Sequence, residues 1–297
     1  MTKKKYVPYL MIAPFFLIYF TFSLFPILYS LAVSFTDWGI AGASQFVGID
    51  NYIRLFQDKN FIKAIGNTLL FMAVALPIEL TLGMFMAVFL KDFVNKTRPV
   101  FQLLNFLPYI TAPVAMGMLF QLLFDYNNGT VNQILIACGI IEEPIYWLGF
   151  PLTAKIVVIV LIIWRLYGYM MVMFLTGLST IPSELYEAAK VDGASWFHSF
   201  RTITIPLLKP IVIFVVTMST ISGWKLFDEA RLLFQGDNLP SAGPENSILT
   251  MVMYFYDTAF NRFEFAYGSS MGYVLFFIIA VFSFVFMKIT NRGERND

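Results

Sequence analysis

No Asp, Glu, Lys or Arg occurs in residues 6–36. A helix covers roughly 30 Å of hydrocarbon with about 20 residues, so this stretch alone is long enough to cross a bilayer. The same criterion finds five more: 64–90, interrupted only by Glu79; 99–124; 156–183, interrupted only by Arg165; 210–224, extended back toward Leu207; and 265–287. Lipid offers the backbone no hydrogen-bond partners, so such stretches must be helical. The expectation is an all-α membrane protein with six transmembrane helices in a single domain over 1–297. Composition excludes the soluble alternative: 58% of residues are hydrophobic and 13% charged, against about 45–50% and about 25% in soluble domains.

Charge placement orients the spans. With the N-terminus inside, segments 1–7, 91–98, 177–209 and 288–297 carry 12 of the 20 Lys and Arg residues. The outside segments 35–66, 125–155 and 222–267 carry 7 despite being nearly twice as long, so both termini are expected to be cytoplasmic. Lys3, Lys4 and Lys5 precede the first span, as in a signal peptide. Its apolar run is longer than a signal core, however, and ends in no A-x-A site, so it reads as a retained helix. The outer loops proper, 37–63, 125–153 and 225–264, have folding signals of their own. Asp50-Asn51 followed by Tyr52, Leu55 and Phe56 at i, i+3, i+4 predicts a capped amphipathic helix. Gly236, Pro240, Gly243 and Pro244 are turn chemistry, and the aromatic-rich stretch 251–260 predicts a re-entrant or interfacial helix.

Several chemistries are excluded. A single cysteine, Cys138, makes no internal disulfide, and a single histidine, His198, rules out an H-E-x-x-H site. No G-x-x-x-x-G-K-[ST] loop is present, and a net charge of +1 without a basic stripe argues against nucleic acid.

One inner loop is long enough to fold, 181–206. Ser183 is a predicted N-cap, with Glu184 in the first turn. Leu185, Ala188 and Ala189 share one face, shallow enough for another protein to approach closely. Gly193 ends the helix in a left-handed conformation, and Ser195 caps a second helix carrying Trp196, Phe197, Phe200 and Ile203. Pro206 is then expected to break the chain just before the fifth span.

This loop resembles the EAA loop of ATP-binding-cassette importer permeases. Glu187-Ala188-Ala189 is followed by three residues, Gly193, nine residues, Ile203, Thr204 and Ile205-Pro206, with Ile205 where the family pattern has Leu. The stretch Phe46 to Tyr52 with Gly48 and Asn51, Leu107-Pro108 through Pro113, Leu123-Phe124 with Gly129 and Asn132, Phe227-Asp228 and Ala242-Gly243-Pro244 are similar to the carbohydrate-type permeases related to the larger membrane subunit of the maltose transporter. The resemblance implies a type I importer permease fold in a bacterial cell membrane. It also implies that Glu187, Ala188, Ala189, Asp192, Gly193 and Pro206 couple the chain to a cytoplasmic ATPase. The implied partners are a second permease subunit, two ATPase copies that bind ATP and Mg, and an extracytoplasmic sugar-binding protein. This chain would hold no cofactor and no catalytic site.

Polar groups inside spans are candidates for the substrate path. Arg165, mid-span among Trp164, Tyr167 and Tyr169, offers a hydrogen-bonding fork beside aromatic faces. By resemblance the path takes Arg165, Leu166 and Tyr169 from span four, Tyr109 from span three, and Ser219, Ser222, Gly223 and Leu226 from span five. The structural alternatives are an ion pair of Arg165 with Glu79 or a partner subunit, packing roles for the tyrosines, and close helix packing at Ser219, Ser222 and Gly223. Glu79 reads as structural. Trp224, Lys225, Asp228, Glu229 and Arg231 fall at the outer mouth, facing a binding protein or solvent. A gradient-driven transporter leaves the EAA spacing unexplained, and a membrane enzyme lacks a catalytic constellation.

Overall fold

The computed structural model describes residues 6–39, 42, 44–94, 96–234 and 241–293. Lys3, Lys4, Lys5, Gly236 and Pro240 lie outside the described residues. The fold is helical, with one isolated antiparallel bridge between Thr36 and Phe46. In chain order the helices are α1 (Val7–Val33), α2 (Asp50–Gln57), α3 (Lys59–Phe93), α4 (Arg98–Ile110), α5 (Pro113–Leu123), α6 (Thr130–Ala137), α7 (Pro151–Thr180), α8 (Ser183–Val191), α9 (Trp196–Trp224), α10 (Asp228–Leu232), α11 (Met251–Tyr256) and α12 (Phe265–Gly293). Among the described residues α1, α3, α7, α9 and α12 are long and apolar enough to cross a membrane, and α4 with α5 makes a sixth crossing if counted as one span.

Two spans depart from the sequence expectation. The third is not straight: α4 and α5 meet at 96°. Thr111 (φ −71°, ψ 142°) and Ala112 (φ −57°, ψ 132°) are extended, because Pro113 disfavours the helical region for the residue before it. The fifth starts earlier than residue 207, at Trp196, and Pro206 does not break it. A wide π-turn over Phe200–Thr204 leads into the proline and makes room for its ring, so the helix runs through.

The chain forms two compact units, Met1–Ile62 with Tyr254–Ile278, and Lys63–Met253 with Ile279–Asp297. In the first unit, α2 is present but not capped as expected. Asp50 is its first residue and makes no capping bond. Asn51 is buried and donates to the carbonyls of Ser34 (2.9 Å) and Thr36 (2.7 Å), latching the helix to the end of α1. Tyr52 and Ser34 share a hydroxyl bond of 2.7 Å, and Leu55 is buried, whereas Phe56 is exposed. Asp58 caps α3, accepting from the N–H groups of Asn60 (2.9 Å) and Phe61 (3.4 Å). Its other oxygen accepts from Tyr254 (2.5 Å) and Tyr267 (2.8 Å). Burial alone would raise the Asp58 pKa; the donated hydrogen bonds outweigh it and hold the carboxyl below its ordinary value.

In the second unit, the core runs along α3, α7 and α9 through Ala87, Leu90, Met171, Phe174, Leu178, Leu208 and Val215. Gly83 lets α3 and α7 approach: a Cβ there would lie 2.5 Å from that of Met170. Asn132, buried, ties segment 125–153 together. Its amide donates to the carbonyl of Ile145 (3.0 Å) and its oxygen accepts from the Trp147 indole (2.8 Å).

Candidate functional site

The inner segment 181–206 starts differently from its expected form, but its first helix ends as expected. Ser183 is the first residue of α8 rather than its cap, and its side chain makes no capping bond, because Pro182 sets the turn that starts the helix. The C-terminus is a Schellman turn: Gly193 sits at φ +76°, its N–H donates to the carbonyl of Lys190 (3.1 Å), and that of Ala194 to Ala189 (2.9 Å). Ser195 accepts from the N–H of His198 and caps the next helix. Glu187, Ala188, Asp192 and Gly193 are exposed and Ala189 is half-buried, so this face is open.

The segment is held to α3 and α9 by contacts the sequence did not announce. Tyr186 bonds Thr204 (2.9 Å) and lies under the Lys91 ammonium, 4.5 Å from the ring centre. The Trp196 indole donates to Asp92 (2.9 Å) and its ring stacks on Phe200 (5.5 Å, 2°). These residues enclose a cavity of about 490 Å³ beneath the segment.

A second cavity, about 320 Å³, opens between α3, α4, α7 and α9. All eight residues proposed from the sequence for the substrate path line it: Tyr109, Arg165, Leu166, Tyr169, Ser219, Ser222, Gly223 and Leu226. Helical spacing explains the convergence. Residues 165, 166 and 169 share one face of α7, while 219, 222, 223 and 226 follow one stripe of α9 into the segment beyond it. Tyr109 stacks on Tyr169 with centroids 4.8 Å apart and planes at 20°. Gly223 also serves packing: a Cβ there would lie 2.7 Å from Met72 Cγ.

Arg165 does not pair with Glu79. Its guanidinium makes an ion pair with Glu229 of α10, and both side chains are largely buried. Its Nε is buried without a hydrogen-bond partner among the described residues. Lys225, Asp228 and Glu229, placed at the mouth from the sequence, line the cavity itself, as do Phe71, Met72, Ala75, Leu76 and Glu79 of α3. The α3 residues were legible as one helical stripe. The fold-back of α10 was not, since nothing local dictates it. Trp224 is buried and Cys138 exposed. Among the described residues no His, Cys, Asp and Glu cluster is arranged to hold a metal.

Comparison with known proteins gives a consistent result. Residues 79–295 match the family model described as binding-protein-dependent transport system inner membrane component. The chain is 38% identical over 280 residues to the lactose transport system permease protein LacF of Rhizobium radiobacter, covering 93% of this chain and 91% of that one. It is 34% identical over 294 residues to the arabinooligosaccharides transport system permease protein AraP of Bacillus subtilis, covering 98% and 91%. A chain in the crystal structure of a bacterial ABC transporter involved in alginate import shares the fold, with a TM-score of 0.85 at 22% identity over 98% of this chain and 96% of that one. The protein belongs to the family of inner membrane components of binding-protein-dependent transport systems, as a multi-pass permease and not an ATPase.

Proposed function

We propose that the chain is one of two permease subunits of an ATP-driven importer for carbohydrate, most simply an oligosaccharide. The observation that carries this reading is the α3, α4, α7 and α9 cavity. A stacked tyrosine pair, a mid-span guanidinium and serine hydroxyls converge on one space. Aromatic faces with hydrogen-bonding forks are the chemistry that sugars demand. The names of the relatives, lactose and arabinooligosaccharide permeases, support the same class.

In this reading an extracytoplasmic binding protein delivers sugar to the cavity and the second permease completes its wall. The exposed face of α8 docks on a cytoplasmic ATPase, which binds ATP and Mg. Glu187, Ala188, Ala189, Asp192 and Gly193 meet it, while Pro206 sits where the coupling segment enters the membrane. Nucleotide binding there shifts the membrane helices only through contacts that differ between the two states. Both termini lie on the ATPase side. The test is purification of the tagged chain in mild detergent with its partners, alongside uptake of radiolabelled lactose and arabinotriose by cells with and without it. Co-purification of a second permease and an ATPase, with chain-dependent sugar uptake, is expected. A chain that purifies alone and supports no sugar uptake would overturn the reading.

A further inference from the structure

Among the charged side chains lining the cavity, the mid-span carboxyl of Glu79 is one that the pathway reading does not use. Glu79 lies near the middle of α3, is 2% exposed, and lines the cavity. It ends the stripe formed by Phe71, Met72, Ala75 and Leu76, which face the same space at successive turns. Among the described residues no ion pair or hydrogen bond reaches its carboxyl; the nearest mid-span cation, Arg165, is engaged by Glu229. Four residues on, Gly83 holds α3 hard against Met170 of α7, so the stripe cannot rotate away without a clash. A buried carboxyl without a partner is costly, and its retention in a span marks function.

Building on the carbohydrate reading, we propose that Glu79 is a substrate-binding and specificity residue of this cavity, taking hydrogen bonds from neighbouring hydroxyls of an uncharged sugar. In either protonation state a carboxyl presents two oxygens that accept hydrogen bonds, which suits a vicinal diol. The charges in the cavity favour an uncharged substrate. Asp228 and Glu229 already balance Arg165 and Lys225, so the lining has no surplus positive charge to hold a sugar acid.

The experiment measures initial uptake of radiolabelled lactose and arabinotriose in cells carrying the complete transporter, normalised to assembled complex in the membrane. At saturating sugar the binding protein is loaded, so the maximal rate reports passage through the membrane. E79L should lower that rate roughly tenfold or more, the loss of two hydrogen bonds to the sugar, with the half-saturating concentration unchanged. E79Q exchanges one acceptor for a donor. It should lose only about two- to fivefold and shift the ratio between the two sugars. E79Q at the wild-type rate and ratio overturns the assignment even if E79L fails to assemble, and so does E79L at the wild-type rate. Wild-type cells that take up neither sugar overturn the carbohydrate reading, and this assignment falls with it.

Discussion

Substitution of Gly193 separates the conformational demand of the coupling turn from everything around it. The residue holds φ +76°, and no other atom lies within 4 Å of where a Cβ would be built. A larger side chain therefore meets no clash, and the cost is backbone conformation alone. For most L-residues the left-handed region costs about 1–2 kcal/mol, and asparagine partly escapes it. Proline cannot adopt it at all: its ring fixes φ near −65°, and it deletes the N–H that bonds Lys190. The expected order of damage is G193N, G193A, then G193P. At about 1–2 kcal/mol, G193A lowers the ratio of capped to frayed turn roughly 5- to 30-fold. G193P removes the capped form. The assay is crosslinking of a cysteine at Ala189 to the ATPase in a C138S background, read beside sugar uptake and the amount of chain in the membrane. Crosslink and uptake should fall together in that order while insertion holds. Wild-type uptake by G193P would refute the docking role, and equal damage by all three variants would refute the conformational argument.

Other consequences follow from the same geometry. R165A leaves the buried Glu229 carboxylate without its partner, so it should cut uptake more than the double variant R165A/E229A, in which that carboxylate is gone too; equal losses would deny the pair any energetic role. Loss of the two Asn51 bonds in N51A should destabilise the first unit by about 1–3 kcal/mol, seen as faster proteolysis near residue 36. Because the folded Asp58 pKa is depressed, the stability it contributes is fully present above the ordinary carboxylate value and is lost as pH falls through the lower folded one. Thermal unfolding near neutral pH should then be insensitive to small pH changes at this site, and D58N should flatten the acid limb. Cys138, the sole cysteine and exposed, should react with a membrane-impermeant maleimide added outside intact cells. Labelling only after permeabilisation would invert the topology.

Much of this architecture can be read from residues alone because lipid leaves so few choices. Charge-free length located the spans, and helical spacing within two of them, with Tyr109 from a third, brought the eight proposed residues to one cavity. The coupling turn was legible for a local reason, since glycine at its end fixes a conformation that nearby residues only accept. What stayed hidden depends on neighbours distant in sequence. Asn51 looked like part of a cap, but its amide is taken by the carbonyls of Ser34 and Thr36, a stronger claim than the helix end could make. The partner of Arg165 could not be chosen from sequence, because Glu79 and Glu229 are both acids within reach of a mid-span charge. Both turn into the cavity, and Glu229 reaches Arg165 because α10 folds back beside α5, where a Cβ on Gly117 would lie 2.7 Å from the backbone of Leu232.

The two prolines at helix junctions show why local rules alone do not decide. Pro113 and Pro206 carry the same penalty, a missing N–H and a ring that crowds the preceding turn. At Pro113 the preceding residues leave the helical region, and the last bonds of α4 converge on one carbonyl. Thr111 donates both its N–H (3.1 Å) and its hydroxyl (2.8 Å) to the carbonyl of Leu107. At Pro206 the preceding Ile205 stays helical (φ −60°, ψ −48°), and its N–H reaches back to Phe200 through the π-turn. Thr202 donates its hydroxyl to the carbonyl of His198 (2.7 Å), covering another acceptor in the same turn. The chain bends before Pro113 and runs on as one helix where a wider turn absorbs the ring of Pro206. That continuity joins residues 196–206 and the cavity-lining stripe of α9 in one helix. Under the proposed coupling, motion of the segment reaches Ser219 and Ser222 without a break in the helix between them.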